Sequence, residues 1–197
     1  HAKYSGPGAT ALSTAGTGTR NRKGITATDA SRTTNLTVTQ AATGIINAVT
    51  LGIVVQNNGT GTTSVTTAGT VKATSGIGID VGNASTATDV TVTQTAGSIT
   101  GGSHGIYPAN NGTGATTINT AGTVNGTATY TNRNHATNAS TATSLTIGQT
   151  AGTITGGTTG IVTTNNGKGA TTISTAGTVT GTSTYGIQAP NASTAGD

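Results

Sequence analysis

Gly112-Thr-Gly-Ala-Thr-Thr-Ile-Asn-Thr-Ala-Gly-Thr-Val124 decides the fold, because the chain carries it in four versions. It is matched by Gly59-Thr-Gly-Thr-Thr-Ser-Val-Thr-Thr-Ala-Gly-Thr-Val71 and by Gly167-Lys-Gly-Ala-Thr-Thr-Ile-Ser-Thr-Ala-Gly-Thr-Val179, and Gly6-Pro-Gly-Ala-Thr-Ala-Leu-Ser-Thr-Ala-Gly-Thr17 opens the chain. The copies lie 53, 53 and 55 residues apart, and each long unit splits into two similar halves. Val90-Thr-Val-Thr-Gln-Thr-Ala-Gly-Ser-Ile99 is the same phrase in its other half. A self-similar beat of about 27 residues is the mark of a solenoid, in which each repeat buries the face its neighbour leaves open.

Within a half, the apolar residues fall at three stations. The first alternates as a strand with one face inward: Leu36 and Val38, Val90 and Val92, Leu145 and Ile147. The second follows Ala-Gly-Thr or Ala-Gly-Ser and seats Val71, Ile99, Val124, Ile154 and Val179. The third is the Ile of a Gly-Ile pair: Ile25, Ile53, Ile79, Ile106, Ile161 and Ile187. Three short stations separated by Gly, Asn and Ser make one three-sided coil. No segment has a capped 3.6-residue period, and frequent Gly and Thr disfavour helix. The expectation is all-β: a right-handed parallel β-helix of about seven coils, a single solenoid over residues 1–197. Residues 1–8 form its N-terminal edge. With strands ~4.8 Å apart along the axis, seven coils make a rod on the order of 35 Å long.

Four residues after each of these Ile stands Asp29, Asn57, Asn83, Asn110, Asn165 or Asn191. The half without Gly-Ile reads Thr131-Asn132 there, and its Asn138 arrives two residues late, which points to an irregular coil near 130–136. One Asn per coil at a fixed station is the pattern of a turn ladder, with side-chain amides bonding coil to coil. The same stacking accounts for the composition. Thr fills about a quarter of the positions, Gly accounts for 32, and only 6% of residues are charged. Like charges stacked ~4.8 Å apart repel by about 1 kcal/mol even in water, at every coil. Thr, Ser and Asn stack without that cost.

Three phrases carry a family likeness: Ala96-Gly-Ser-Ile-Thr-Gly-Gly-Ser-His-Gly-Ile106, Ala151-Gly-Thr-Ile-Thr-Gly-Gly-Thr-Thr-Gly-Ile161 and Ala176-Gly-Thr-Val-Thr-Gly-Thr-Ser-Thr-Tyr-Gly-Ile187. They resemble the passenger repeats of bacterial autotransporters and are similar to the filamentous-haemagglutinin type of secreted adhesin. The resemblance runs over roughly residues 9 to 193. It implies a secreted or outer-surface protein of a Gram-negative bacterium, a non-catalytic adhesive or structural rod. Its partners are then a host or environmental surface, or copies of itself as a fibre subunit stacking end to end. The chain opens on His1 and stops partway through a 53-residue unit, as a fragment of a longer array would.

The remaining residues argue against other chemistry. The acids Asp29, Asp80, Asp89 and Asp197 are single and scattered, whereas glycoside hydrolysis needs two carboxylates ~5–9.5 Å apart. An enzyme is not expected, nor a cofactor. His104 and His135 sit near turns of different coils and read as exposed turn residues rather than metal ligands. Gly167-Lys168-Gly169 lacks phosphate-loop spacing, and Cys is absent. The net charge of +4 is concentrated at Arg20, Arg22, Lys23 and Arg32, a local patch with too few aromatics for nucleic acid. No stretch reaches the ~20 apolar residues of a membrane span. A Thr-x-Thr face at Thr37/Thr39 and Thr91/Thr93 raises ice binding as a lesser alternative, although Thr146-Ile-Gly148 breaks the array. The sequons at Asn35, Asn58, Asn83, Asn111, Asn125, Asn138 and Asn191 follow from turn repetition in a Ser/Thr-rich chain.

Overall fold

The structure, a computed structural model, describes residues 2–6, 10–14, 17–19, 22–29, 35–126 and 134–192, the first three stretches as backbone strands alone. Three parallel sheets run its length. The first holds the Gly-Ile strands: Ala2–Gly6, Lys23–Asp29, Leu51–Asn57, Ile77–Asn83, Ile106–Asn110, Asn134–Asn138, Ile161–Asn165 and Ile187–Gln188. The second holds Thr10–Thr14, Leu36–Gln40, Thr63–Thr67, Val90–Gln94, Thr116–Thr120, Leu145–Gln149 and Thr171–Thr175. The third holds Thr17–Thr19, Ile45–Ala48, Thr70–Ala73, Ser98–Gly101, Thr123–Gly126, Thr153–Gly156 and Thr178–Gly181. Successive strands visit the three sheets in turn, and each pairs in parallel with its counterpart one coil away. This is a parallel β-solenoid, with no helix among the described residues.

About six turns are complete with side chains, against the seven coils counted in sequence. The last first-sheet strand, Ile187–Gln188, only opens a further coil, and Ala2–Gly6, Thr10–Thr14 and Thr17–Thr19 add backbone at the other end.

The core is a set of columns running along the axis. Ile53, Ile79, Ile106 and Ile161 are buried on the first sheet; Val71, Ile99, Val124 and Ile154 on the third; Val38, Val65, Val92, Ile118 and Ile147 on the second. Val179 is partly buried and Ile187 is 42% exposed, because nothing covers them among the described residues. The Gly before Ile25, Ile53, Ile79 and Ile161 is there for space. A Cβ on Gly78 would lie 2.6 Å from the Gly105 carbonyl oxygen and 2.7 Å from Ile99 Cγ2. On Gly160 it would meet Gly186 O and Val179 Cγ1, both at 2.7 Å. The first and third sheets can therefore approach only across a bare backbone.

The coil expected to be irregular is described only from Asn134 onward. Residues 127–133, with Thr131-Asn132, lie outside the described residues. From Asn134 the strand is regular, and its register places Asn134 between Ile106 and Ile161 in the first-sheet column. Asn134 is fully buried, and neither its Oδ1 nor its Nδ2 has a hydrogen-bond partner.

Candidate functional site

Three features could carry function: the Asn stack, the outer face of the second sheet, and a ring cluster outside the first sheet.

The Asn stack runs in register from Asp29 through Asn57, Asn83, Asn110, Asn138 and Asn165 to Asn191. All but Asn191 are buried. Two bonding patterns alternate. In coils whose turn reads Asn-Asn-Gly, the Asn closes its own turn. Asn110 Oδ1 accepts from the Gly112 amide at 2.9 Å, while its Nδ2 donates to Gly114 O at 3.1 Å. Asn57 and Asn165 do the same with Gly59 and Gly61, and with Gly167 and Gly169.

In coils whose turn reads Asn-Ala-Ser-Thr-Ala, the Asn oxygen instead accepts from a Thr hydroxyl of the preceding coil. The pairs are Thr63 to Asn83 and Thr116 to Asn138, both 2.5 Å. Direct amide-to-amide bonds link Asn83 Nδ2 to Asn110 Oδ1 (3.4 Å) and Asn138 Nδ2 to Asn165 Oδ1 (3.3 Å). The stack is thus mainly a set of turn closures, with Thr hydroxyls and two long amide bonds joining coils.

A second buried polar column answers it. Gln40, Gln94 and Gln149 end alternate strands of the second sheet and are almost fully buried. Each Nε2 donates to a carbonyl in its own turn and to one in the next coil: Gln94 to Gly97 O (3.2 Å) and Thr123 O (3.1 Å). The equivalent pairs for Gln40 are Gly44 and Thr70, and for Gln149 Gly152 and Thr178. Thr hydroxyls lock one coil type onto the next, and Gln amides lock the next onto the first. The 53-residue unit is the period of this alternation. In the same coils the turns pass through Gly97 and Gly152 at φ +72° and +78°, a left-handed conformation that favours glycine.

Outside, the second sheet presents two columns. One reads Thr37, Ser64, Thr91, Thr117, Thr146, Thr172, with a hydroxyl at each of these six coils. The other reads Thr39, Thr66, Thr93, Asn119, Gly148, Ser174 and loses its hydroxyl at Asn119 and Gly148.

On the first sheet, Tyr107 stands in register with Asp80 in the outward column, and His135 stands in register with Val162. His104, from the turn before Ile106–Asn110, joins them. His104 and His135, expected as separate turn residues, are 5.6 Å apart between ring centroids, and Tyr107 lies 5.2 Å and 5.3 Å from them. All three rings are half-buried. Burial lowers the pKa of His135 and raises that of Asp80, the latter opposed by the charge of Lys23. Among the described residues no three His, Asp, Glu or Cys side chains gather as a metal cluster, and no helix is long and apolar enough to cross a membrane.

No protein-family model, curated protein or solved structure matches this chain.

Proposed function

We propose that the chain is a non-catalytic structural and adhesive rod of a secreted or outer-surface bacterial protein, built from autotransporter-like or haemagglutinin-like repeats. The observation that carries this reading is the outer face of the second sheet. Six coils in register give an unbroken column of hydroxyls, beside a second column of mostly small polar groups. Such a face offers many weak, equivalent hydrogen-bonding positions along one direction, and contact with an extended surface multiplies them. The test is adsorption of the purified chain to cultured epithelial cells and to bare silica, compared with a Thr91→Glu/Thr117→Glu variant. The parent is expected to bind and the variant to bind severalfold less. Failure of the parent to bind either surface removes adhesion. Equal binding by the folded variant removes this face.

A second reading is end-to-end assembly, favoured by the C-terminal coil. Tyr185 is 57% and Ile187 42% exposed, and Ile173 and Val179 are only partly covered. Open strand edges beside apolar residues are a template for another strand. Size-exclusion chromatography and electron microscopy separate the readings: fibres support assembly, and discrete monomers at high concentration exclude it. Ice binding needs a stricter array than the interrupted second column, and a thermal-hysteresis assay measures it directly.

A further inference from the structure

Two of the chain's three histidines, distant in sequence and on different coils, meet on one outer face together with Tyr107. Elsewhere this outward column holds Thr26, Val54, Val162 and Gln188, so the imidazoles are no part of the repeat chemistry. We propose that His104 and His135 form a two-imidazole chelate for a divalent transition-metal ion of the Zn(II), Ni(II) or Cu(II) type, its other positions filled by water.

The geometry suits it. With metal–nitrogen bonds of about 2.0–2.1 Å and a ring radius of roughly 1.2 Å, two imidazoles sharing one ion have centroids roughly 5 to 6.5 Å apart, depending on the angle at the metal. The observed 5.6 Å falls inside that span. Imidazole is the ligand type that Zn, Ni and Cu take up, unlike Mg or Ca. Asp80 lies in the same column, one strand from Tyr107 and two from His135. The ion would tie the turn before Ile106–Asn110 to the neighbouring strand Asn134–Asn138, the two being paired in the first sheet. That is where the repeat is interrupted.

The experiment uses the full chain, free of any affinity tag, with ZnCl2 as the probe, followed by imidazole proton resonances and by calorimetry. Addition of Zn(II) is expected to shift the His104 and His135 signals together, at one ion per chain, and to raise the melting temperature reversibly with EDTA. The His104→Gln and His135→Gln variants are each expected to weaken binding at least about tenfold, the loss expected when a chelate becomes a single ligand. His1→Gln is expected to leave it unchanged. Shifts confined to His1, or equal affinity in the folded single variants, overturn the proposal. So does a fall in melting temperature in the variants with no effect of Zn(II) on the parent, which marks the rings as packing alone.

Discussion

The second-sheet strands Thr116–Thr120 and Thr171–Thr175 are nearly the same sequence, Thr-Thr-Ile-Asn-Thr and Thr-Thr-Ile-Ser-Thr, yet they live in different surroundings. In the first, Thr116, Ile118 and Thr120 are buried; in the second, Ile173 is half-buried and Thr175 exposed. Each has a coil below it, but only the first has a described second-sheet strand above, Leu145–Gln149. Burial in this protein is therefore conferred by the neighbouring coil rather than by the strand's own residues. Stability then becomes a sum of coil and interface contributions along one axis.

The largest effect should come from breaking that equivalence directly. Ile118→Ala removes a fully buried side chain from a column packed on both sides and is expected to cost about 2–5 kcal/mol. Ile173→Ala, the same change in the half-covered coil, is expected to cost roughly 1 kcal/mol or less, since less surface returns to water. Urea unfolding of both variants measures the difference, and equal costs would show that the terminal coil is covered in solution. Hydrogen exchange adds a spatial reading: amides of Thr171–Thr175 should exchange well before those of Thr116–Thr120.

The same logic turns inside out at Asn134. Neighbours paired on both sides seat it in a column of Ile, although its amide finds no partner there. An unsatisfied buried polar group costs about 1–3 kcal/mol. Asn134→Leu is therefore expected to stabilise the protein by a similar amount, read as a higher urea midpoint. Loss of stability would mean that the site demands the amide.

Next in size is the polar stack. Asn110→Ala orphans the Gly112 amide and the Gly114 carbonyl and is expected to cost about 1–3 kcal/mol. Asn191→Ala, at an exposed end where the Asn accepts only from the Thr171 hydroxyl among the bonds described, should cost under about 1 kcal/mol.

Much of this organisation is legible in sequence because solenoid strands repeat with period two and their turns recur at fixed stations. Counting four residues back from Asn138 would also have found Asn134, since every other ladder residue follows its Ile by four. Gln40, Gln94 and Gln149 recur once per long unit, so their column could have been read as well; alternate coils hide it by placing Thr67 and Thr120 between them. The meeting of His104 and His135 could not. His104 belongs to a turn, where no strand register holds, and first-sheet steps vary, from 26 residues between Ile53 and Ile79 to 28 between Ile25 and Ile53 and between Ile106 and Asn134. Two imidazoles 31 residues apart in sequence do not announce a contact when one sits in a turn and coil length varies.

The strand member of that pair gives the smallest prediction. His135 titrates below its ordinary value near 6.5 because burial penalises its charged form. Between the folded pKa and about 6.5, the unfolded chain holds more protons on this group than the folded one, so stability rises with pH through that window. As pH falls from about 6.5 toward the folded pKa the protein loses stability, and below it the loss is complete. Asp80 has the opposite sign: its pKa is raised, so its contribution falls as pH climbs from 3.8 to the folded value. Urea midpoints from pH 7.5 down to pH 5 in EDTA should therefore decline in the parent and flatten in His135→Gln. A decline that survives unchanged in His135→Gln would show that burial of this ring is not its source.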